Sequence, residues 1–323
     1  MAVAREEGTN MTVRRNTTTT KALALAMAAG LTLAACGDGG SEDSAGGDSG
    51  GSETGGAEGT ITLGFIPSWT DGLSTAYLLE DQLTKLGYTV EMEELTEAAL
   101  LYTGLAEGDV DMYPSAWPEV THAQYMEEYG DQIEDLGAYY DNAKLTFAVP
   151  TYTEIDSIAE LTGNADMFDG QIIGIEPGAG LTAATQDSVM PTYELDGDFE
   201  LVTSSTSAML TELESAINDE EDIVVTLWQP FWANSAFDVK TLEDPEGALG
   251  EAEALHFLGT EGFSEEFPEA AELIAGIQLD DEQYGALEDM VVNEYGEGQE
   301  AEAIDAFLEE YPDAFDTIVT EEG

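Results

Sequence analysis

The sequence has 323 residues, of which 69 are acidic and 7 are basic, so its formal net charge is -62 at pH 7. Contacts to phosphate need clustered Lys and Arg side chains, and this composition therefore excludes nucleic acid and other polyanions as partners. The acidity is typical of a solvated surface that keeps a protein soluble, and it leaves the nature of any ligand open.

The first elements along the chain are those of an export signal. Residues 11–36 combine a basic stretch, the apolar run LALAMAAGLTLAA and small residues before Cys36. The motif LTLAAC resembles the lipobox of bacterial lipoproteins, in which the cysteine becomes the lipidated N-terminus. We therefore predict that residues 1–36 are a signal peptide, with Met11 as an alternative start, and that Cys36 is lipidated.

A tether follows the signal. Residues 37–59 are rich in Gly, Ser and acidic residues and contain no apolar residue larger than Ala. Such a segment cannot bury enough apolar surface to offset its ordering entropy, so we predict that it is disordered. The folded part is then expected on the extracytoplasmic face of the cell membrane, held there by its lipid anchor.

Strands and helices alternate along the rest of the chain in two series, which predicts an α/β protein with two mostly parallel sheets flanked by helices. The first series has predicted strands at 61–66, 88–95 and 109–115 and predicted helices at 73–87 and 98–106. The second has strands at 145–150, 171–177, 199–205 and 222–228, with helices near 157–163, from Gly180, and at 207–218. A strand at 255–260 and helices at 267–277, 280–295 and 300–319 complete the chain.

The C-terminal helices have no strands of their own, so we expect them to pack back on the first series. The chain would then cross between two lobes twice, near residues 144–150 and 252–260. This predicts one lobe of residues 60–147 and 256–323 and a second lobe of residues 148–255. A cleft between two lobes is a common place for a small ligand.

The residues offer little support for catalysis. The chain has two histidines and one cysteine, it has no Gly-x-Ser-x-Gly motif, and its histidines lack the spacing of metal ligands. Carboxylates are so numerous that no pair of them stands out as a general acid and base. We therefore predict a binding protein with no catalytic residue, metal or cofactor.

The four tryptophans stand where strand-like runs give way to loops rich in Pro or Gly, and an indole face at a loop is a candidate seat for a cation. His122 follows Trp117 by five residues, and Pro118 between them can start a helix. The turn in GIEPGAGL places free backbone N–H groups at a predicted helix start, which favours an anion. Each of these features also has a structural explanation without a ligand. The tryptophans could be packed in the core, His122 could lie on the surface, and GIEPGAGL could be a simple strand-to-helix turn.

Four motifs in the order SWTDG, SAWPEVTH, GIEPGAGL and LWQPFW make the chain resemble the glycine betaine-binding lipoproteins of osmoprotectant ABC importers. The resemblance implies a two-lobed, periplasmic-type binding fold with the ligand in the interlobe cleft. It also implies that three tryptophans surround the trimethylammonium group while a histidine and two backbone N–H groups hold the carboxylate. By motif, the implied site residues are Trp69, Trp117, Trp228, His122, Gly180 and Leu181.

The last motif departs from a WTPHW-like pattern that is common in this family. Gln229 and Phe231 occupy the variable places, which puts the preference among betaines in doubt, and Trp232 is expected to be a packing residue. The resemblance implies a small zwitterionic ligand such as glycine betaine and delivery to ABC permease and ATPase subunits. Proline betaine, carnitine, choline and ectoine remain alternative ligands, and a lipid-anchored sensory module remains an alternative role.

Overall fold

The computed structural model describes residues 59–315 and 317–320. The predicted signal peptide, Cys36 and the predicted tether apart from Gly59 lie outside these residues. None of the helices in this part of the chain is long and apolar enough to cross a membrane.

The described part alternates strands with helices, as the sequence predicts. Its strands are β1 (Thr60–Phe65), β2 (Thr89–Glu94), β3 (Met112–Ala116), β4 (Ile133–Pro150), β5 (Gln171–Ile173), β6 (Glu200–Val202), β7 (Val225–Gln229), β8 (Val239–Thr241) and β9 (Glu253–Thr260). Its α-helices are α1 (Thr70–Leu86), α2 (Ala98–Glu107), α3 (Ala123–Tyr129), α4 (Gly180–Ala184), α5 (Met190–Thr192), α6 (Thr206–Asp219), α7 (Ala233–Ala236), α8 (Phe263–Glu266), α9 (Pro268–Ala275), α10 (Asp281–Asp289) and α11 (Glu300–Glu310).

The strands form one mixed sheet in the order β2-β1-β3-β9-β4-β7-β5-β6, with β8 paired to β4. Strands β1, β2 and β3 are mutually parallel, as are β5, β6 and β7, while β9 and β4 run antiparallel to their neighbours. We call β1, β2, β3, β9 and residues 133–143 of β4 the first half-sheet. The second half-sheet comprises residues 144–150 of β4 with β5, β6, β7 and β8.

Strand β4 belongs to both half-sheets, because its first part pairs with β9 and its last part with β7 and β8. The sequence prediction found only residues 145–150 of this strand. The missed part has three register shifts against β9 and a glycine, Gly137, at a φ of 115°. These irregularities break the alternation of apolar and polar residues from which a strand is recognised.

Helix α1 shows how the local sequence sets the elements around the site. It buries Leu78, Leu79 and Leu83, and its C-terminal Gly87 adopts a left-handed conformation with a φ of 113°. The Gly87 N–H donates to the carbonyls of the last turn, so the helix ends there and β2 begins. At the other end of the helix, the Ser115 hydroxyl of β3 donates to the Asp71 carboxylate at 2.7 Å, which holds the start of α1 beside the end of β3.

The C-terminal helices return to the first half-sheet, as expected. Lys85 on α1 lies 3.8 Å from the carboxylate of Asp305 on α11, and the Val319 N–H donates to the Gln82 side chain at 2.8 Å. The fold class is confirmed as α/β, although the crossing strands make the sheet mixed. The predicted lobe limits, 60–147 with 256–323 and 148–255, stay a prediction.

Three predicted helices differ from the structure. The segment 157–163 forms only a single 3₁₀ turn, Ile158–Glu160. The last helix stops at Glu310 rather than 319, since the residue before Pro312 is disfavoured in a helix. Pro118 begins a turn instead of a helix, and α3 starts only at Ala123.

Candidate functional site

One pocket lies where loops of the two half-sheets meet. Its empty volume is about 330 Å³. Its walls are formed by the six residues that the sequence singles out and by four others, namely Trp69, Trp117, His122, Gly180, Leu181 and Trp228 together with Asp71, Leu145, Ile175 and Ala179. The first half-sheet contributes the loops after β1 and β3, and the second contributes β7 and the start of α4.

The three predicted cage tryptophans are almost fully buried, with 8%, 5% and 5% of their surface exposed for Trp69, Trp117 and Trp228. The Trp69 indole N–H donates to Glu176 at 3.2 Å, and the Trp117 indole N–H donates to Asp71 at 3.1 Å. These bonds fix the orientation of both rings.

Trp228 is held differently, by stacking. Its ring lies on Phe231 with 4.0 Å between the centroids and 21° between the planes. Its indole N–H is buried and has no hydrogen-bond partner among the described residues. Trp232, by contrast, does not line the pocket, and it packs against Phe231 and Phe237.

Asp71 is a pocket residue that the sequence reasoning missed. Its carboxylate accepts hydrogen bonds from the Ser115 hydroxyl at 2.7 Å and the Trp117 indole, and burial raises its pKa. A carboxylate in the wall of an aromatic pocket adds electrostatic attraction for a cation. It lies two residues after Trp69 in the SWTDG motif, but among the 69 acidic residues of the chain nothing in the sequence gave a reason to select it.

His122 is buried and neutral. Burial lowers the pKa of its imidazole to about 3. The backbone N–H of Trp117, which can only donate, points to Nδ1 at 3.3 Å, and the Tyr102 hydroxyl lies 3.1 Å from the same atom. Nδ1 is therefore the acceptor, and Nε2 carries the proton. Within the described residues Nε2 has no hydrogen-bond partner, so it is a donor available to the pocket.

The turn between Trp117 and His122 is held by a buried carboxylate from β9. Glu253 accepts the backbone N–H groups of Glu119, Val120 and Thr121 at 3.1, 2.9 and 2.9 Å, and the Thr121 hydroxyl at 2.5 Å. These four bonds set the position of the His122 ring, which stacks on Trp69 at 6.0 Å between centroids. No spacing in the sequence pointed to this residue.

Gly180 begins α4 at a point of close approach between the half-sheets. A Cβ atom at this position would lie 2.1 Å from the carbonyl oxygen of Thr121. The first N–H groups of a helix have no partner inside it, so those of Gly180 and Leu181 are free to bind an acceptor. The helix continues through a π-helical stretch, Thr185–Val189, and α5.

The arrangement is that of a binding site. Three indole rings and a carboxylate lie opposite a neutral imidazole donor and a helix start, and the described residues contain no group of three or more side chains suited to a metal ion. His256, the other histidine, is paired with Asp135 at 2.9 Å and lies outside the pocket.

A mixed sheet in two parts with an aromatic pocket between them defines the class of two-lobed extracytoplasmic solute-binding proteins. Residues 59–310 match the family described as the substrate binding domain of ABC-type glycine betaine transport systems, and the chain belongs to this family. Such domains are binding modules, in agreement with the expectation that the chain is not an enzyme.

Several relatives are similar over different lengths. The glycine betaine/carnitine transport binding protein of Listeria monocytogenes is 42% identical over 104 residues, which cover 32% of this chain and about a third (34%) of that protein. The glycine betaine/proline betaine-binding periplasmic protein of Escherichia coli is 25% identical over 62% of this chain and 71% of its own length.

Solved structures are similar over most of the chain. The glycine betaine, L-proline-binding protein of Borrelia burgdorferi is 32% identical with a TM-score of 0.74, covering 81% of this chain and 97% of that one. A lactococcal binding protein in its closed conformation with glycine betaine is 29% identical with a TM-score of 0.72, covering 79% of this chain and 97% of its own.

Proposed function

We propose that this protein captures glycine betaine, or a closely related betaine, and delivers it to the permease and ATPase subunits of an ABC importer for osmoprotection. One observation carries the proposal. A single pocket brings together three buried indoles, a neutral histidine donor and a helix start. A zwitterion with a quaternary nitrogen at one end and a carboxylate at the other matches both sides of this pocket.

The cation side consists of Trp69, Trp117 and Trp228. A trimethylammonium group has no N–H to donate, so it is recognised by ring faces and apolar contact, worth about 0.5 to 2 kcal/mol per ring. Asp71 adds its negative charge behind the rings. This side alone would also accept choline or carnitine.

The anion side of the pocket distinguishes choline from ligands that carry a carboxylate. Among the described residues, the Nε2–H of His122 and the backbone N–H groups of Gly180 and Leu181 have no acceptor, and they favour a ligand that carries a carboxylate. Choline has no carboxylate and would leave these donors unpaired, which is unfavourable for buried groups. Glycine betaine and proline betaine present both groups close together.

The lipid anchor is the second part of the proposal. The motif LTLAAC supports lipidation of Cys36, which would hold the binding domain at the outer face of the membrane near its permease. Substituting Cys36→Ala in the full chain should release the protein from membranes. Mass spectrometry of the wild-type N-terminus should then find a diacylglyceryl cysteine.

Calorimetry with a panel of glycine betaine, proline betaine, carnitine, choline and ectoine tests the ligand. We expect glycine betaine to bind and choline to bind at least tenfold more weakly. Trp117→Ala should reduce glycine betaine affinity at least a hundredfold, since it removes one wall of the cage. Trp232→Phe is the matched control, because Trp232 lies outside the pocket, and it should change the affinity less than twofold. Unchanged affinity in Trp117→Ala would refute the cage.

A further inference from the structure

Glu176 lies outside the ligand pocket yet contacts both half-sheets. It follows β5 in the second half-sheet and is 7% exposed. Its carboxylate reaches the loop after β1, where it accepts the Trp69 indole N–H at 3.2 Å and the Ser68 hydroxyl at 3.3 Å. It also accepts the backbone N–H of Thr206 at 3.0 Å and the Thr206 hydroxyl at 2.9 Å, at the start of α6.

The four bonds are distributed evenly between the two carboxylate oxygens. Oε1 accepts from Ser68 and from the Thr206 backbone, and Oε2 accepts from Trp69 and from the Thr206 hydroxyl. Each oxygen thus joins one donor from the first half-sheet to one donor from the second. Four donors use the full acceptor capacity of a carboxylate, and an amide in its place would turn an N–H toward another donor.

The backbone of Glu176 is tied to the other side of the pocket. Its carbonyl oxygen accepts the Ala179 N–H at 3.0 Å and the Thr182 hydroxyl at 2.8 Å, which secures the start of α4. One residue therefore connects a wall of the predicted cation cage with the helix start that faces the carboxylate. The bonds to Ser68 and Trp69 require the two half-sheets to be together.

We infer that Glu176 is a positioning residue that couples closure of the two halves to the orientation of Trp69. The inference rests on the proposed function, because it concerns the same ligand pocket. When the halves separate, Trp69 loses the acceptor that fixes its ring, so the complete cage exists only in the closed form. Contacts made only in the closed form slow ligand release more than they speed capture.

A double-mutant cycle with glycine betaine tests this coupling. Glu176→Gln should weaken binding at least tenfold, measured by calorimetry, since hydrogen bonds to a charged acceptor are the strong ones. The loss should appear as faster dissociation in stopped-flow tryptophan fluorescence, with the association rate changed less than twofold. In a Trp69→Phe background, which has no indole N–H, Glu176→Gln should weaken binding threefold or less.

Two further variants keep the test specific. Glu97→Gln is the matched control, because Glu97 and Glu176 line the same surface groove, next to the loops that follow β1 and β2, but the Glu97 side chain has no hydrogen bond among the described residues. This substitution should change affinity less than twofold. Thr206→Val removes one donor without changing the charge and should speed dissociation at least threefold. Ligand-free melting temperatures establish that each variant is folded.

The possible failures are distinguishable. If the unchanged protein does not bind glycine betaine, the proposed function fails and this inference fails with it. If the protein binds but Glu176→Gln behaves like Glu97→Gln, the function stands and the coupling is wrong. An equal loss from Glu176→Gln in the wild-type and Trp69→Phe backgrounds would likewise overturn the coupling between these two residues.

Discussion

The backbone N–H of Trp117 donates to Nδ1 of His122 across a distance of 3.3 Å. This bond closes the turn that carries both residues, and it forces the imidazole proton onto Nε2. A cage wall for a cation and a neutral donor for an anion are thus held at a fixed separation by one short segment. Recognition of a zwitterion depends on such a fixed separation.

The neutrality of His122 predicts how binding responds to pH. Because burial lowers the pKa of its imidazole to about 3, the ring stays neutral at pH 5 and at pH 6.5. We expect glycine betaine affinity measured by calorimetry to change less than twofold between these two values. A histidine that bound the carboxylate as a cation would give clearly tighter binding at pH 5.

The lowered pKa of His122 also predicts how the stability of the fold depends on pH. Between pH 6.5 and about 3 the unfolded chain binds a proton at His122 that the folded protein does not, so the free energy of unfolding falls as pH falls. His122→Gln should flatten this dependence in urea titrations at pH 4.5 and 6.5. An unchanged slope in the variant would contradict the buried neutral state.

Gly180→Ala should prevent the close approach at the start of α4. The added Cβ would meet the Thr121 carbonyl at 2.1 Å, and backbone cannot move aside as a side-chain tip can. We expect glycine betaine affinity to fall at least tenfold in calorimetry. Gly285→Ala, in a helix with open space around the position, is the control and should stabilise the fold by about 0.5–1 kcal/mol without affecting binding.

Glu253→Ala should loosen the turn that carries His122. The substitution leaves three backbone N–H groups and the Thr121 hydroxyl without their acceptor. We expect the free energy of unfolding in urea to fall by about 3 kcal/mol, with weaker glycine betaine binding. Glu251→Ala, two residues earlier and exposed, should change both quantities little. Equal effects of the two substitutions would show that the turn does not depend on Glu253.

The raised pKa of Glu288 predicts that the fold becomes less stable as pH rises. Burial, acting with the charge of Asp71, raises its pKa from 4.5 to about 8, while its carboxylate contacts the Thr70 hydroxyl. Between these values the folded protein retains a proton that the unfolded chain releases, so stability falls as pH rises, by up to about 1.4 kcal/mol per pH unit.

The neutral substitution Glu288→Gln should remove that contribution. Its free energy of unfolding should therefore fall less than that of the wild type between pH 5.5 and 8 in urea titrations. Glu282→Gln on the exposed face of the same helix is the control and should follow the wild type. If Glu288→Gln also follows the wild type, Glu288 is ionised throughout this range.

The sequence alone predicted the α/β alternation, most helix and strand positions, and six of the ten residues that line the pocket. Strands and helices were recognisable because the apolar residues of segments such as α1 recur with the period of the element. These six residues were recognisable because tryptophan and histidine are rare in the chain, and because the motifs that contain the six resemble those of the glycine betaine-binding family. These properties depend on residues that lie close together in the sequence.

Only the tertiary structure selected Asp71, Glu176 and Glu253 from the 69 acidic residues of the chain. The donors described above for their carboxylates lie 44 or more, 30 or more and 132 or more positions away in the sequence, respectively. The role of a carboxylate depends on which hydrogen-bond donors the fold brings to it and on how deeply it is buried. The sequence gives the number and positions of the carboxylates, but their burial and hydrogen bonds, which determine which of them hold the site in place, follow from the tertiary structure.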